Sequence, residues 1–181
     1  RSTPLYSSAA SDVYKRQPFL QSAQEMIYSN NMNKANDILL SMDNSIPIET
    51  IPILHPDYQL TVARLFSMVG NSERYNHYME SLMSREDLGI QDHYDIASVL
   101  LIDSNSNSNG ENYIKKMIKT YPNRWEFSRM LVVFYSQTSQ YEQAIKIIED
   151  WISLNQNYSQ PEAYKEAKGW LDILKSEPSA S

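Results

Sequence analysis

Phe127-Ser-Arg-Met-Leu-Val-Val-Phe-Tyr135, followed after a short polar break by Tyr141-Glu-Gln-Ala-Ile-Lys-Ile-Ile-Glu-Asp-Trp-Ile152, decides how this chain is to be read. In the first run the apolar positions are Phe127, Met130, Leu131, Phe134 and Tyr135. In the second they are Tyr141, Ala144, Ile145, Ile148, Trp151 and Ile152. Both sets recur with the period of one helical face, and neither alternates as a strand would. Ser139-Gln140 between them leaves room only for a tight return, so two helices must lie antiparallel against each other.

The same spacing extends outward. Tyr58, Val62, Leu65, Phe66 and Val69 mark another helical face, and polar or glycine pairs punctuate the chain at Asn30-Asn31 and Gly70-Asn71. The run Asp103-Ser-Asn-Ser-Asn-Ser-Asn-Gly110 has side chains that compete for backbone hydrogen bonds, which predicts an exposed loop. Ser45 to Pro56 carries three prolines and cannot be one continuous helix, yet its isoleucines predict that it packs along the body. The pattern predicts an all-α chain with helices at about 19–29, 32–43, 57–69, 72–84, 92–103, 111–121, 124–138, 140–154 and 161–175. Residues 176–181 are expected to fray.

The leader needs separate treatment. Ser7-Ser-Ala-Ala-Ser-Asp-Val-Tyr-Lys-Arg-Gln17 resembles the translation of a transposase-type sequencing adapter, and Arg1-Ser2-Thr3 resembles the primer segment that precedes it. Residues 1–17 are therefore expected to be adapter-derived, disordered or non-native, with no packing role, and the natural chain of a metagenomic fragment to be joined near Pro18. Setting them aside removes Arg1, Lys15, Arg16 and Asp12, which leaves 13 basic and 21 acidic residues and a net charge of −8. An acidic chain without a Lys/Arg cluster lacks the footprint of a nucleic-acid binder. With no cysteine, disulfides and thiolate metal sites are excluded. The longest apolar run, the six residues Met130 to Tyr135, is far too short to span a membrane, as is Val99 to Ile102, so this fragment is expected not to insert directly.

Aligning the small or tight position that opens each second helix gives Ala35, Tyr75, Gly110 and Ala144, spaced by 40, 35 and 34 residues. Here the chain resembles the tetratricopeptide repeat (TPR), carried best by Leu131, Tyr135, Tyr141, Ala144 and Ile148. Ala23, Ala35, Leu39 and Pro47 fit in the first unit, Ala63, Phe66 and Gly70 in the second, and Ala97 and Pro122 in the third. The Leu-Gly pair of the motif is missing, and Tyr75, Gly110 and Trp151 stand where alanine is usual. The resemblance implies antiparallel hairpins in a right-handed solenoid over 18–175, capped by helix 161–175. In that cap Tyr164, Ala167, Trp170, Leu171 and Leu174 are expected to face inward, and loss of Trp170 to cost about 3–5 kcal/mol if it is buried.

A second resemblance rests on Met42-Asp-Asn-Ser-Ile-Pro-Ile-Glu-Thr-Ile-Pro-Ile53, then Tyr58 to Phe66, Gly70-Asn71, Tyr78 to Leu88, and Gln140 to Ile145. This order is similar to the soluble C-terminal tail of bacterial multi-pass membrane proteins related to protein O-mannosyltransferases. It implies a non-catalytic interaction or scaffold domain with a protein or peptide partner, behind a transmembrane region that precedes it. Localisation would then be membrane-associated, and otherwise cytoplasmic or periplasmic. A free-standing TPR adaptor and a cryptic enzyme are the alternative expectations.

Candidate chemistry is sparse. His77 has Glu80 and Glu73 one turn away on either side, but no second histidine shares that face, so a structural or solvated role is expected. Asp92-His93-Tyr94-Asp95 reads as a helix N-terminus, where acidic side chains meet the positive end of the dipole. No phosphate loop, nucleophile elbow or zincin motif occurs. No catalytic, cofactor-binding or metal-binding residue is expected, and no cofactor. Trp125, Phe127, Phe134, Tyr135, Tyr141, Trp151, Tyr158, Tyr164 and Trp170 crowd the C-terminal third. Most are expected in the core, with a few left on a concave face as anchors for a peptide.

Overall fold

The computed structural model describes residues 6–102, 107–156 and 161–176. Among these residues the secondary structure is helical throughout, with α1 Tyr6–Tyr28, α2 Met32–Ser45, α3 Pro56–Met68, α4 Ser72–Met83, α5 Ile90–Ile102, α6 Asn107–Thr120, α7 Trp125–Gln137, α8 Tyr141–Leu154 and α9 Pro161–Ser176. The chain divides into two compact units, Arg1–Asp92 and His93–Ser181.

Three of the returns share one geometry. After α1, α3 and α7 a single residue takes a left-handed backbone: Asn30 at φ 57°, Gly70 at φ 76° and Ser139 at φ 59°. In each return the amide of the next residue donates back to the carbonyl five positions earlier: Asn31 to Met26 at 2.8 Å, Asn71 to Phe66 at 2.9 Å, Gln140 to Tyr135 at 2.7 Å. The left-handed residue itself bonds to the carbonyl three positions back, at Ile27, Ser67 and Ser136. This pair of bonds is the Schellman closure, which satisfies carbonyls that a helix end leaves open. Asn31 and Asn71 then cap the next helix as well, each side chain accepting from the amide three residues on, Lys34 and Arg74. Three residues thus end one helix, reverse the chain and start the next.

In the first unit α1 packs on α2 and α3 on α4, around Leu20, Ala23, Leu39, Met42, Val62, Phe66, Tyr78 and Leu82. Phe66 and Tyr78 meet with ring centroids 5.6 Å apart. Gly70 and the asparagines set the turns, while Ala23, Ala35 and Ala63, all fully buried, allow close approach.

The connection between α2 and α3 is the non-helical strap expected from its prolines. Ile46, Ile48 and Ile53 are buried beneath it. A turn at 48–50 satisfies the Pro47 carbonyl from within, through the amides of Thr50 and Ile51, and other carbonyls of the strap need partners from outside. Two guanidinium groups supply these. Arg16, fully buried in α1, donates from Nη2 to the carbonyl of Ile46 at 3.1 Å and to that of Ile51. Arg85, just beyond α4, donates from Nη1 to Ile53 at 2.8 Å and from Nη2 to Leu54 at 2.7 Å, and Asp87 holds its fork in place.

Arg16 gives the leader a place in the packing of the first unit. Residues 6–17 are helical and continuous with the rest of α1, and Arg16 packs at 0% exposure. Their resemblance to an adapter concerns the coding sequence and is independent of how the encoded peptide folds. The helix was expected to begin after Pro18. It passes through this proline because the ring and its missing donor lie on the exposed side of α1. Residues 1–5 lie outside the described residues.

In the second unit the core is built from Ile114, Met117, Trp125, Phe127, Leu131, Val132, Tyr135, Ala144, Ile148, Trp151, Ala167 and Leu174. Trp125 and Trp151 meet at 5.0 Å between ring centroids. Asn155, buried after α8, donates to the carbonyls of Pro122 at 3.2 Å and Trp151 at 2.9 Å, which ties the end of α8 to the turn between α6 and α7. The loop expected up to Gly110 is shorter than foreseen. α6 begins at Asn107 and Gly110 lies inside it, where a Cβ would come 2.9 Å from the Leu100 carbonyl group. Glycine is needed there for backbone contact between α5 and α6, and this outweighs its poor helix propensity. Residues 103–106 of that loop, Tyr158 and the tail from 177 lie outside the described residues.

α9 places Ala167 and Leu174 in the core, whereas Tyr164, Trp170 and Leu171 are half-buried against it. Half-burial of Trp170 corrects the expected cost of its loss downward, to about 1–3 kcal/mol.

Removal of residues 1–17 is expected to lower the melting temperature by at least about 5 °C, and Arg16→Ala to cost about 2–3 kcal/mol in denaturant unfolding, because strap carbonyls lose their donors. Unchanged melting of both proteins would return the leader to a passive role. At the turns, Gly70→Ala should destabilise by about 1 kcal/mol although no atom lies within 4 Å of the added methyl. Ser139→Gly should stabilise by about 0.5–1 kcal/mol for the same backbone reason, and urea midpoints measure both.

Candidate functional site

α7 carries more apolar residues than one face can bury. Phe127, Leu131, Val132 and Tyr135 enter the core of the second unit. Met130 and Phe134 pack against that core only half-buried and, with Val133, Arg129 and Gln137, form one wall of a groove of about 390 Å³. The other wall is α5, through Tyr94, Ser98, Leu101 and Ile102. These positions recur as i, i+4, i+7 and i+8, which places them on one helical face beside the buried Ala97. Ile102 at the rim is 84% exposed. Met130 and Phe134, read from the spacing as members of one core face with Phe127 and Leu131, are thus half-buried at the groove.

Among the described residues Arg129 is the only charged one in the lining. Its Nη1 lies 3.4 Å from Glu166 Oε1 of α9, and both side chains are 41% exposed. Partial burial works against its charge, but the Tyr94 hydroxyl and Glu166 outweigh this and raise its pKa above the ordinary arginine value. The groove is thus an apolar trough with a fixed cation at its edge.

The polar clusters elsewhere are structural in their geometry. His77 does not pair with Glu80 or Glu73, which are both exposed; its Nε2 lies 2.8 Å from Glu49 Oε1 on the strap. Glu49 is held below the usual carboxylate range by a backbone hydrogen bond first and by His77 second. Next to it Asp43, 5% exposed, accepts from the Tyr78 hydroxyl at 2.8 Å and faces Arg74 Nε at 3.1 Å. Burial and the Asp43 carboxylate together push the Tyr78 hydroxyl far above its ordinary pKa. His93 Nδ1 lies 2.7 Å from the Tyr113 hydroxyl, and its ring is 5.9 Å from that of Tyr121. His55 is exposed at the start of α3. Asp92 Oδ2 accepts from the Gly89 amide at 2.7 Å, which anchors the first turn of α5. Among the described residues no three His, Asp or Glu side chains are placed to share a metal ion.

The aromatics divide as their burial dictates. Trp125, Phe127, Tyr135 and Trp151 are core; Phe134, Tyr141, Tyr164 and Trp170 are half-buried, and Lys168 Nζ sits 4.8 Å above the ring of Tyr164. Sequence reasoning missed Tyr94, Leu101, Ile102, Met130 and Val133 as a shared surface. The available signal was the excess of apolar residues on α5 and α7, which fits a helix with two contact faces.

No helix among the described residues is long and apolar enough to cross a membrane. No family model matches the chain, and no curated protein or solved structure is significantly similar to it.

Tyr135 and Lys115 both donate to Glu111 Oε1, the tyrosine at 2.6 Å, and the Lys115 bond followed by the Tyr135 bond lowers the Glu111 pKa. A carboxylate with a depressed folded pKa contributes stability that is complete above its unfolded pKa and is lost as pH falls through the folded value. Glu111→Gln is therefore expected to be about 0.5–1 kcal/mol less stable than the parent at neutral pH, and to converge with it below about pH 4. A constant difference across urea unfolding at both pH values would contradict this.

Proposed function

We propose that this chain is a protein-interaction domain that holds a segment of a partner protein in the groove between α5 and α7. The supporting observation is that both helices carry apolar side chains left half-buried or exposed at the groove, beyond those fully buried in the core. Contiguous apolar surface of this kind mostly marks contact with another molecule. A trough lined by methionine, aromatic and branched side chains suits the apolar side of a peptide or helix.

The recurring three-residue turns support a TPR-like reading of the hairpins, arranged as a right-handed solenoid with α9 as its cap. On that reading the domain is the non-catalytic soluble tail of a bacterial membrane glycosyltransferase-like protein, a setting suggested by the proline strap between α2 and α3. The free adaptor is the alternative setting. Coding sequence upstream of Pro18 separates them: apolar runs of about 20 residues favour the tail, and their absence from the complete gene favours the adaptor.

Peptide display against the full chain tests the groove itself. Selected peptides should lose at least about tenfold in affinity when Phe134→Ser is introduced, because an anchor pocket is removed. Recovery of the same peptides with unchanged affinity by the variant would place binding elsewhere and end the proposal.

A further inference from the structure

We infer that the groove takes an apolar segment that carries a carboxylate side chain, and that Glu166 occupies the carboxylate position until such a segment arrives. The inference rests on the groove reading above. Among the described residues Arg129 is the sole charge in the lining, and it stands at the edge of an apolar trough. The chain as a whole is acidic, with a net charge of −6, so a cation offered to a partner is a local exception to the surrounding field.

The pairing of Arg129 is of the kind that exchanges. At 3.4 Å the contact with Glu166 is long for a charge-assisted bond, it engages one guanidinium nitrogen, and both groups are 41% exposed. Exposed pairs of this sort contribute little stability, so their replacement costs little. The neighbouring acid on α7 does not compete, since Glu126 lies 3.8 Å from Arg124. A carboxylate on a bound segment, flanked by apolar side chains on Phe134 and Met130, would shield Arg129 from water and strengthen its own contact. Glu166 then acts as an internal competitor, supplied by α9.

Two dye-labelled, end-blocked peptides of about 14 residues test this, with leucines at helical spacing in both and either glutamates or lysines at the other positions. Binding to the full chain is read by fluorescence anisotropy, and only binding lost in Phe134→Ser is counted as groove binding. The glutamate peptide is expected to bind in the groove and the lysine peptide to bind there at least about tenfold more weakly. Arg129→Gln should weaken the glutamate peptide about tenfold, Arg129→Lys should restore most of that loss, and Glu166→Gln should tighten it about threefold or more.

Equal groove binding of both peptides, or a preference for lysine, would overturn the carboxylate inference and leave the groove as an apolar docking site. Failure of Glu166→Gln to change affinity, with Arg129→Gln still weakening it, would overturn the role of Glu166 as competitor. Absence of any Phe134-dependent binding by either peptide would overturn both this inference and the groove reading on which it stands. Circular dichroism of each variant confirms that the helices persist.

Discussion

A helix satisfies its own backbone except at its ends, and this chain depends on how three of those ends are closed. Asn30, Gly70 and Ser139 each take a left-handed conformation that lets two amides reach back to open carbonyls. Only at Gly70 is that conformation free of a Cβ penalty. Asn30 is helped by its short polar side chain, while Ser139 holds the position with the least intrinsic preference for it. Everything packed between α1 and α2, α3 and α4, and α7 and α8 relies on the direction that these single residues set.

The second requirement concerns the segment that has no helix to satisfy it. Residues 46–54 run over the first unit with a turn at 48–50, with isoleucines beneath and carbonyls that need donors. Arg16 approaches from α1 and Arg85 from the segment after α4, and they serve both ends of the strap. Arg85 has Asp87 as counter-charge. Arg16 has no such relief at Nε and Nη1, which find no partner, so it is a buried cation only partly compensated by dipoles. The leader that carries it is therefore part of the packing and a point of tension within it.

Most helix positions were legible because local periodicity and turn chemistry agree along this chain. The boundaries at Met32, Ser72 and Tyr141 follow directly from asparagine, glycine and serine placed at the returns. The beginning of α1 and of α6 was not legible. In each case a residue that usually breaks helices is tolerated for a tertiary reason: Pro18 by lying on an exposed face, Gly110 by contact with the Leu100 backbone. The groove was hidden for another reason. Phe127, Met130, Leu131, Phe134 and Tyr135 satisfy one broad helical stripe, and spacing alone does not show that Phe127, Leu131 and Tyr135 go to the core while Met130 and Phe134 turn toward α5. That division is set by which neighbours α7 meets, which is information held in the packing.

The strap has one more consequence, for how the first unit comes apart. Helical hairpins make contacts that are close in sequence, and arrays of them tend to form and melt piecewise. Arg16 with Ile51, and Arg85 with Leu54, are separated by 35 and 31 residues and converge on the same short connection. Opening α1 therefore frees carbonyls in a segment that Arg85 also grips, and opening the end of α4 does the same from the other side. These links raise the contact order of an otherwise local architecture. They tie residues from Arg16 to Asp87 into one cooperative folding block, slower to assemble than two independent hairpins and harder to unravel from either end.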